Sequence, residues 1–365
     1  MSSSPPPQAS SLIDVGWNDD VAQRVEDQRA ANGSSANDSS DNVALAVVGR
    51  VGRVDRGECD VFTEDDLVRV ASDSVRAQAD LAPATGDWVL ITTDPDIGPV
   101  IGQIVPRRTA IVRRDPSEHV IEQTIVANVD VVAVVHGLDQ DVNPARIERF
   151  LVLAQDSGAQ PVVVLTKSDL VSASVAEAAR EAADLGDDVA VLVTSAESGQ
   201  GLEDLRALLA GNQTLVLIGP SGAGKSRLVN ALAGQDLQAI GAVRESDAKG
   251  RHTTTTRELI PLAGGGVLID TPGIRAVGVW NADVAIDRVF ADVSEVAEQC
   301  KFRDCTHRME PGCAVRAAVD AGTLDPNRVD RYATLWSEIA DQAEEAEERR
   351  RKRSRGKPRP PRRAR

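Results

Sequence analysis

A glycine-rich segment ending in lysine and serine carries the clearest chemistry in this sequence. Residues 219–226 are Gly-Pro-Ser-Gly-Ala-Gly-Lys-Ser, between an apolar run at 215–218 and a helical pattern at 227–232. A strand, this loop and a helix are the context that the GxxxxGK[ST] motif requires. Backbone N–H groups of such a loop surround phosphates, the lysine reaches the β and γ phosphates, and the serine ligates Mg²⁺. The predicted phosphate-binding residues are Gly219, Pro220, Ser221, Gly222, Ala223, Gly224, Lys225 and Ser226.

Two shorter motifs predict which base the nucleotide carries. The sequence Thr-Lys-Ser-Asp at 166–169 follows an apolar strand, and Thr-Ser-Ala at 194–196 follows the next one. A carboxylate at the first site accepts the N1 and N2 protons of guanine, a pair that adenine does not offer. Each motif is weak alone, but their occurrence at strand ends of one sheet favours guanine. The predicted guanine-binding residues are Thr166, Lys167, Ser168, Asp169, Ser195 and Ala196.

Residues after the loop predict the magnesium and γ-phosphate contacts. Asp-Thr-Pro-Gly at 270–273 follows a buried strand, where Asp270 holds a Mg²⁺ water and the Gly273 N–H meets the γ-phosphate. Thr254 or Thr255 is expected to ligate Mg²⁺ as well, and the spacing does not choose between them. Both lie in the long polar segment 240–257, which is typical of a mobile switch loop.

The catalytic residue is harder to assign from sequence. Ras-like enzymes orient the attacking water with a glutamine directly after DxxG, and this chain has Ile274 there. His252, in the polar segment, is the nearest residue able to position the water. The alternative is that His252 is structural or binds RNA.

The order of the motifs along the chain is unusual. The base-reading segments 166–169 and 194–196 precede the phosphate loop, whereas in an ordinary GTPase they follow it. Domain termini lie at the surface and often close together, so joining them and opening another loop preserves the core. The sequence therefore predicts a circularly permuted P-loop GTPase domain of α/β class.

A cysteine cluster near the C-terminus predicts a metal site. Cys300, Cys305, His307 and Cys313 offer three thiolates and one imidazole, while the fourth cysteine, Cys59, stands alone. This closed tetrahedral set suits a structural Zn²⁺ and leaves no open position for catalysis. The spacing departs from the common two-residue knuckle, so reduced cysteines without metal are the alternative.

Composition divides the chain into an acidic body and a basic end. Of the 41 Lys and Arg residues, eleven lie in residues 349–365, which contain no acid. The rest of the chain has 30 basic and 56 acidic groups, a net charge of −26. We predict a disordered tail at 349–365 whose natural partners are polyanions, with a merely solubilising tail as the alternative. No apolar run is long enough to span a bilayer, so we expect a cytoplasmic protein without membrane association.

Hydrophobic patterning predicts several domains, of which the first is a β-barrel. Residues 1–42 are rich in Ser, Pro, Asn and Asp and predict a flexible leader. Residues 43–115 predict a β-barrel of OB-fold type that binds RNA, with short strands at 43–48, 52–54, 60–62, 67–70, 88–92 and 100–105. Its candidate RNA-facing groups, which could equally be solvated surface positions, are Arg50, Arg53, Arg56, Arg107, Arg108, Arg113 and Arg114.

The remainder predicts an α/β domain and a small helical domain. Residues 116–280 alternate apolar strands with amphipathic helices, which indicates a parallel sheet covered on both faces. The predicted strands are 131–135, 161–165, 189–193, 215–218 and 267–269. Residues 281–348 predict a helical zinc-binding domain with helices at 282–290, 293–299, 314–321 and 327–348.

Taken together, the motifs resemble a known family, the circularly permuted ribosome small subunit-dependent GTPases of the RsgA (YjeQ) type. The resemblance spans about residues 43–340. The matching residues are 166–169, 219–226, Gly-Arg-His-Thr-Thr-Thr at 250–255, 270–273, the fourteen residues 300–313, Gly-Asp-Trp at 86–88 and Asn-Val-Asp at 128–130. Thr166 stands where this family more usually has asparagine.

The resemblance implies an OB domain, a permuted GTPase domain and a zinc domain that act in late maturation of the 30S subunit. It implies GTP hydrolysis stimulated by that particle, contact with 16S rRNA, and His252 as the suspected catalytic histidine. We expect a monomer that uses GTP with Mg²⁺ and one structural Zn²⁺. Two other hypotheses remain open: an ATP-dependent P-loop enzyme, and a nucleotide-regulated RNA-binding module in which hydrolysis is incidental.

Overall fold

The computed structural model describes residues 11–33, 46–72, 81–114, 122–171, 175–186, 189–237, 257–271 and 282–356. No helix in these ranges is both long and apolar enough to cross a membrane. The described residues form a barrel, an α/β sheet with its helices, and a C-terminal group of helices.

Residues 11–33 are folded, so the prediction of a flexible leader over residues 1–42 is wrong for this part; the rest of the predicted leader lies outside the described residues. A 3₁₀ turn at Ile13–Val15 is followed by helix α1, Asp19–Gly33. Val15, Val21 and Val25 are buried, and Arg24 donates through Nη1 to the carbonyl oxygen of Pro106 at 2.9 Å. The few apolar residues of this segment suffice because Val21 and Val25 lie one helical turn apart and pack on the folded body.

The first sheet closes into the predicted barrel. Its strands are β1 Val47–Val54, β2 Glu58–Phe62, β3 Leu67–Ala71, β4 Trp88–Asp94 and β5 Gly98–Ile104, in the closed order β1-β2-β3-β5-β4. That order and strand number confirm the OB-fold prediction. The two strands predicted at 43–48 and 52–54 are wrong as separate elements, because β1 runs through Gly52 with a bulge between Val51 and Arg53. A bulge bends a strand without ending it.

A hairpin that the sequence did not predict joins the barrel to the α/β sheet. Strands β6, Ala110–Arg114, and β7, Glu122–Ala127, pair antiparallel. The side chains of Ile111 and Val126 are completely buried in the largest apolar cluster. The hairpin therefore contributes to the core of the molecule.

The second sheet has the predicted parallel strands and one additional strand. Its strands are β8 Val131–Gly137, β9 Gln160–Thr166, β10 Ala190–Val193, β11 Thr214–Ile218, β12 Glu258–Pro261 and β13 Val267–Asp270, in the order β10-β9-β8-β11-β13-β12. β12 is an antiparallel edge strand absent from the prediction. The helices are α2 Pro144–Asp156, α3 Val175–Ala183, α4 Leu202–Ala207 and α5 Lys225–Ala233.

Both faces of this sheet are buried, as predicted. Val132 and Val134 of β8 belong to one apolar cluster, whereas Val131, Ala133 and Val135 belong to another. Alternate residues of a strand point to opposite faces, so each cluster covers one face. Burial on both faces explains why these strands are continuous apolar runs.

In the described residues 282–356, four helices follow the sheet: α6 Asp283–Val289, α7 Ala291–Ala297, α8 Ala314–Asp320 and α9 Pro326–Gly356. α9 buries Val329, Tyr332, Leu335 and Ile339 along one side. Its backbone continues to Gly356, so the prediction of a disordered tail from residue 349 is wrong for its first eight residues. Residues 340–356 are mainly Ala, Glu, Arg and Lys, which all favour helix. Residues 357–365 lie outside the described part of the chain.

A buried carboxylate attaches α9 to the α/β sheet region through α2. Glu148 of α2 is completely buried and accepts from Arg328 Nη1 at 3.0 Å and from Arg331 at 2.6 and 2.9 Å. Arg328 also donates to both carboxylate oxygens of Asp292, at 2.7 and 2.8 Å. These hydrogen bonds offset the desolvation penalty of burying the charges of Glu148 and Arg328.

Candidate functional site

The predicted phosphate loop lies at the carboxyl edge of the parallel sheet. β11 is flanked by β8 and β13, and the loop leaves it at Gly219 and enters α5 at Lys225. Lys225 Nζ donates to the carbonyl oxygens of Gly219 and Pro220, at 2.8 and 2.7 Å. Ser226 occupies the first turn of α5 and is half-buried. The loop therefore presents an ammonium group and a helix N-terminus together, an arrangement that favours anions.

Thr166 links the predicted guanine motif to this loop. It ends β9, is almost completely buried, and its hydroxyl donates to the carbonyl oxygen of Ala223 at 2.6 Å. The same hydroxyl lies 3.3 Å from the carbonyl oxygen of His136. The structure thus brings the two predicted segments together through one side chain.

Asp169 and the segment 194–196 are joined by direct hydrogen bonds. Ser195 Oγ donates to Asp169 Oδ1 at 2.5 Å, and the Ser198 N–H donates to Ser195 Oγ at 3.1 Å. Ser168 Oγ donates to Gln200 Oε1 at 3.1 Å. Ser198 and Gln200 were missed from sequence, where nothing but their position in the turn after Ala196 marks them. Through these bonds Asp169 is fixed at the sheet edge.

Lys167 has a partner that the sequence did not indicate. Its backbone is left-handed, with φ of 62°, and its Nζ donates to Asp139 Oδ2 at 2.6 Å. Asp139 follows β8, whose carboxyl end lies beside that of β9. The position of Asp139 just after a buried parallel strand is the feature of the sequence that could have indicated this contact. The pair fixes the Lys167 side chain at the carboxyl edge of the sheet.

Asp270 ends β13, the strand next to β11. The pKa of Asp270 is raised to about 6, chiefly by burial; the charge of Lys225 opposes this increase and that of Glu258 adds to it. The side chain is therefore close enough to Lys225 to sense its charge. A buried carboxylate facing a phosphate loop is suited to hold a hydrated Mg²⁺.

Four predicted site residues lie outside the described residues: His252, Thr254, Thr255 and Gly273. Their roles in water activation, Mg²⁺ binding and γ-phosphate binding remain predictions.

The four predicted metal ligands lie together. Their ligand atoms are all within 4.8 Å of one another. Cys300 Sγ is 3.9 Å from Cys313 Sγ, and His307 Nδ1 is 3.6 Å from each of these sulfurs. Two thiolates bound to Zn²⁺ at about 2.3 Å in a tetrahedron are about 3.8 Å apart. The set therefore fits a tetrahedral metal ion of that size.

Glu310 shapes the loop that carries His307. Its carboxylate accepts from the N–H groups of Thr306, Arg308 and Met309, each at 3.0 Å, and from Thr306 Oγ1 at 2.5 Å. The hydroxyl and N–H of Thr306 are the main reason that the pKa of Glu310 is lowered to about 2. His307 has φ of 61° inside this turn. Glu310 was missed from sequence, since it organises the ligand loop without belonging to the cluster.

Most barrel arginines expected to face RNA are engaged within the protein. Arg50 is completely buried, and Arg107 is bonded to the buried carboxylate of Asp87, so the prediction is wrong for these two. Arg53 pairs with Asp55 at 2.9 Å, and Arg108 pairs with Asp130. Arg56 is exposed, and the side chains of Arg113 and Arg114 lie outside the description. The fold brings neutral acceptors to Arg50 and a carboxylate to Arg107, which the spacing of the sequence does not reveal.

Comparison with known proteins gives a consistent result. Residues 104–280 match a family model described as RsgA GTPase. A protein named small ribosomal subunit biogenesis GTPase RsgA from Streptomyces coelicolor is 46% identical over 333 residues, covering 90% of this chain and 87% of that protein. A protein of the same name from Xanthomonas axonopodis is 47% identical over 275 residues, covering 75% and 74%.

Two solved structures are similar. YjeQ from Thermotoga maritima matches with a TM-score of 0.60 and 26% identity, over 81% of this chain and 99% of that one. YloQ, described as a circularly permuted GTPase, matches with a TM-score of 0.57 and 24% identity, over 84% and 99%. The latter similarity concerns the fold alone and agrees with the permuted motif order.

Proposed function

The chain belongs to the RsgA GTPase family and is a GTP-hydrolysing enzyme, and from this premise we propose that it acts on the small (30S) ribosomal subunit during late maturation. Bound to that particle, it hydrolyses GTP to GDP and phosphate at an increased rate. The observation that carries the proposal is the joining of Asp169, Thr166 and the phosphate loop into one hydrogen-bonded edge of a permuted sheet, in a chain 46% identical to a protein named for this function.

The residues of the sheet edge divide the work of binding GTP. Asp169 accepts the two guanine protons, and Ser195 holds its carboxylate in place. Lys167 lies along the base, Ala196 offers its backbone to the guanine O6, and the loop 219–226 binds the phosphates. Thr166 acts through the loop, since its hydroxyl is used by Ala223.

Ser226 and Asp270, with Thr254 or Thr255, are the residues proposed to hold Mg²⁺. When bound there, the ion would neutralise charge on the β and γ phosphates. Because the pKa of Asp270 is raised to about 6, its carboxylate is protonated in a growing fraction of molecules as the pH falls below that value. Affinity for GTP with Mg²⁺ should therefore fall from pH 7 to pH 5. His252 is proposed to position the attacking water.

The remaining parts are proposed to contact the particle. Cys300, Cys305, His307 and Cys313 hold one Zn²⁺, which supports the fold of their segment. The barrel, this segment and the basic end of α9 are proposed to contact 16S rRNA. We propose a monomer that works in the cytoplasm, where ribosomal subunits are made.

The test is GTP turnover with and without purified 30S particles. We expect the particles to raise kcat at least about tenfold, which corresponds to lowering the barrier by roughly 1.4 kcal/mol.

Asp169→Asn should weaken GTP binding and shift preference toward xanthosine triphosphate. Asp204→Asn, an exposed aspartate of α4, is the matched control and should behave like the wild type. Turnover that is indifferent to 30S particles, or equal binding of ATP, would contradict the proposal.

A further inference from the structure

Arg50 of β1 is a buried cation between the barrel and the α/β sheet. Its side chain is 1% exposed. Its guanidinium donates to four acceptors: the carbonyl oxygens of Val15 at 2.5 Å, Gly86 at 3.3 Å and Asn128 at 3.0 Å, and Thr214 Oγ1 at 2.9 Å. All four acceptors are neutral. A charge in this position is stabilised by dipoles that the fold must aim at it.

The four acceptors come from four separate parts of the chain. Val15 belongs to the N-terminal turn, Gly86 to the loop before β4, Asn128 to the connection between β7 and β8, and Thr214 to the first position of β11. Two of the sequence motifs noted above, at 86–88 and 128–130, thereby gain a structural role. One side chain joins the barrel, the N-terminal segment and the strand that carries the phosphate loop.

The backbone around Arg50 is shaped to admit it. Gly16 has φ of 90°, and a Cβ there would lie 2.4 Å from Arg50 Nη1. Gly86 has φ of 94°, and a Cβ there would lie 2.2 Å from the carbonyl oxygen of Ala127. The ring of Trp88 lies 5.2 Å from the guanidinium carbon and is itself packed edge-on by Trp17 at 5.3 Å. The absence of a Cβ at Gly16 therefore leaves room for the guanidinium, and Trp88 adds a cation–π contact.

Arg50 remains charged at neutral pH. Burial lowers its pKa to about 10, and the nearby carboxylates of Asp130 and Asp87 limit the decrease. Asp130 also accepts from the backbone N–H of Thr214 at 2.7 Å. The first residue of β11 is thus held by both its hydroxyl and its N–H.

We propose that Arg50 is a positioning residue that couples docking of the barrel to the geometry of the phosphate loop through Thr214 and β11. The inference rests on the proposed function, since it concerns stimulation by the 30S particle. β11 runs from Thr214 to Ile218 and is paired on both sides, so it moves as a unit and Gly219 follows it directly. A shift of the barrel on docking is therefore passed to the loop, whereas turnover without the particle does not need it.

The decisive variant is Thr214→Val, which keeps the shape of the side chain and removes one acceptor of Arg50. Thr109→Val is the matched control, because Thr109 is also buried, its hydroxyl donates to the carbonyl oxygen of Val129 at 2.6 Å, and that hydroxyl is not among the acceptors of Arg50. The measured quantity is the ratio of kcat at saturating 30S to kcat without 30S, together with the KM for GTP. We expect Thr214→Val to lower this ratio about tenfold at unchanged KM and unchanged unstimulated kcat, and Thr109→Val to leave the ratio at the wild-type value.

Arg50→Lys keeps the charge and loses the planar fork, so it should lower the ratio at least as much as Thr214→Val. If Arg50→Lys does not fold, Thr214→Val decides alone. A wild-type ratio in Thr214→Val, or equal losses in Thr214→Val and Thr109→Val, overturns the inference and leaves the proposed function standing. A wild-type protein that 30S particles do not stimulate refutes the proposed function itself.

Discussion

Two junctions attach flanking regions to the same GTPase domain, and they are built in opposite ways. At the barrel junction, the buried cation of Arg50 meets three carbonyl oxygens and one hydroxyl. At the C-terminal junction, the buried carboxylate of Glu148 meets the charged side chains of Arg328 and Arg331. The first junction solvates a charge with neutral dipoles, and the second neutralises it with opposite charges.

The difference decides what each junction loses when its central side chain is removed. Without Arg50, the remaining acceptors are neutral, and Gly86 keeps a bond from Asn128 Nδ2 at 3.1 Å. Without Glu148, the mostly buried Arg328 loses one of its two carboxylate partners. A buried neutral group that loses its hydrogen-bond partner lowers the free energy of unfolding less than a buried charged group does. The C-terminal junction is therefore the more brittle of the two, although its contacts are individually stronger.

Removing the metal should cause the largest structural change and tests whether the C-terminal junction depends on the metal. In Cys305→Ser, or after chelation, residues 300–313 should lose their protection from hydrogen exchange, since metal binding provides much of the folding free energy of so small a segment. α9 should stay protected around Arg328 and Arg331. Elemental analysis should find one zinc per chain in the wild type and in the control Cys59→Ala. Loss of protection along all of α9 would show that the junction is not autonomous.

Glu148→Ala should cause the next largest effect. We expect a loss of about 3–5 kcal/mol in the free energy of unfolding, because Arg328 is left incompletely paired. Glu338→Ala is the control: it breaks the 2.5 Å pair with Arg149, which is partly exposed. That change should cost about 1 kcal/mol or less. Denaturant unfolding followed by circular dichroism measures the free energy of unfolding of both variants. Similar decreases for Glu148→Ala and Glu338→Ala would contradict the distinction between buried and exposed ion pairs.

Arg50→Met should lower the free energy of unfolding by about 2–3 kcal/mol. This loss is smaller than that expected for Glu148→Ala, because the acceptors left without a donor are neutral. Arg56→Met, an exposed arginine of the same barrel, should change stability by about 0.5 kcal/mol or less. The same unfolding experiment applies. A loss equal to or larger than that of Glu148→Ala would invert the comparison between the junctions.

Deleting residues 349–365 should leave stability unchanged, because Ile339 is the last residue of α9 among those described as buried. Binding to 30S particles should weaken, and the log-log dependence on salt should flatten by about 0.7–0.9 for each rRNA phosphate that the shortened chain no longer neutralises. A chain of the same length with the eleven basic residues replaced by Gln separates charge from length. An identical salt slope in all three proteins would make the segment solubilising only.

The barrel, the permuted order of the sheet and the metal cluster were predictable because each is encoded locally. Alternating or continuous apolar runs mark the strands, and short motifs at their ends mark the edge of the sheet. Thr166 and Asp169 were found this way, and the structure places both at that edge. The antiparallel edge strand β12 was missed, since four residues carry little periodicity.

The parts that failed depend on distant segments meeting. Arg50 looks like a surface residue in sequence, and its burial follows from acceptors as far away as Thr214. α1 was missed for the same reason, since Val21 and Val25 are too few for an independent helix and become buried only on the folded body. Asp139 and Gln200 contact site residues through the fold rather than through spacing.

The permuted order also has a consequence for the nascent chain. β8 ends at Gly137, and its neighbour β11 begins only at Thr214. During synthesis, one edge of β8, which is completely buried in the folded protein, therefore remains unpaired until β11 has been made. At about 5–20 residues per second this interval lasts on the order of 4–15 s. Ribosome-stalled chains that end before β11 should be cleaved by protease within β8, and longer ones should resist. An apolar strand edge open for that long is a site for mispairing between neighbouring chains on one messenger RNA.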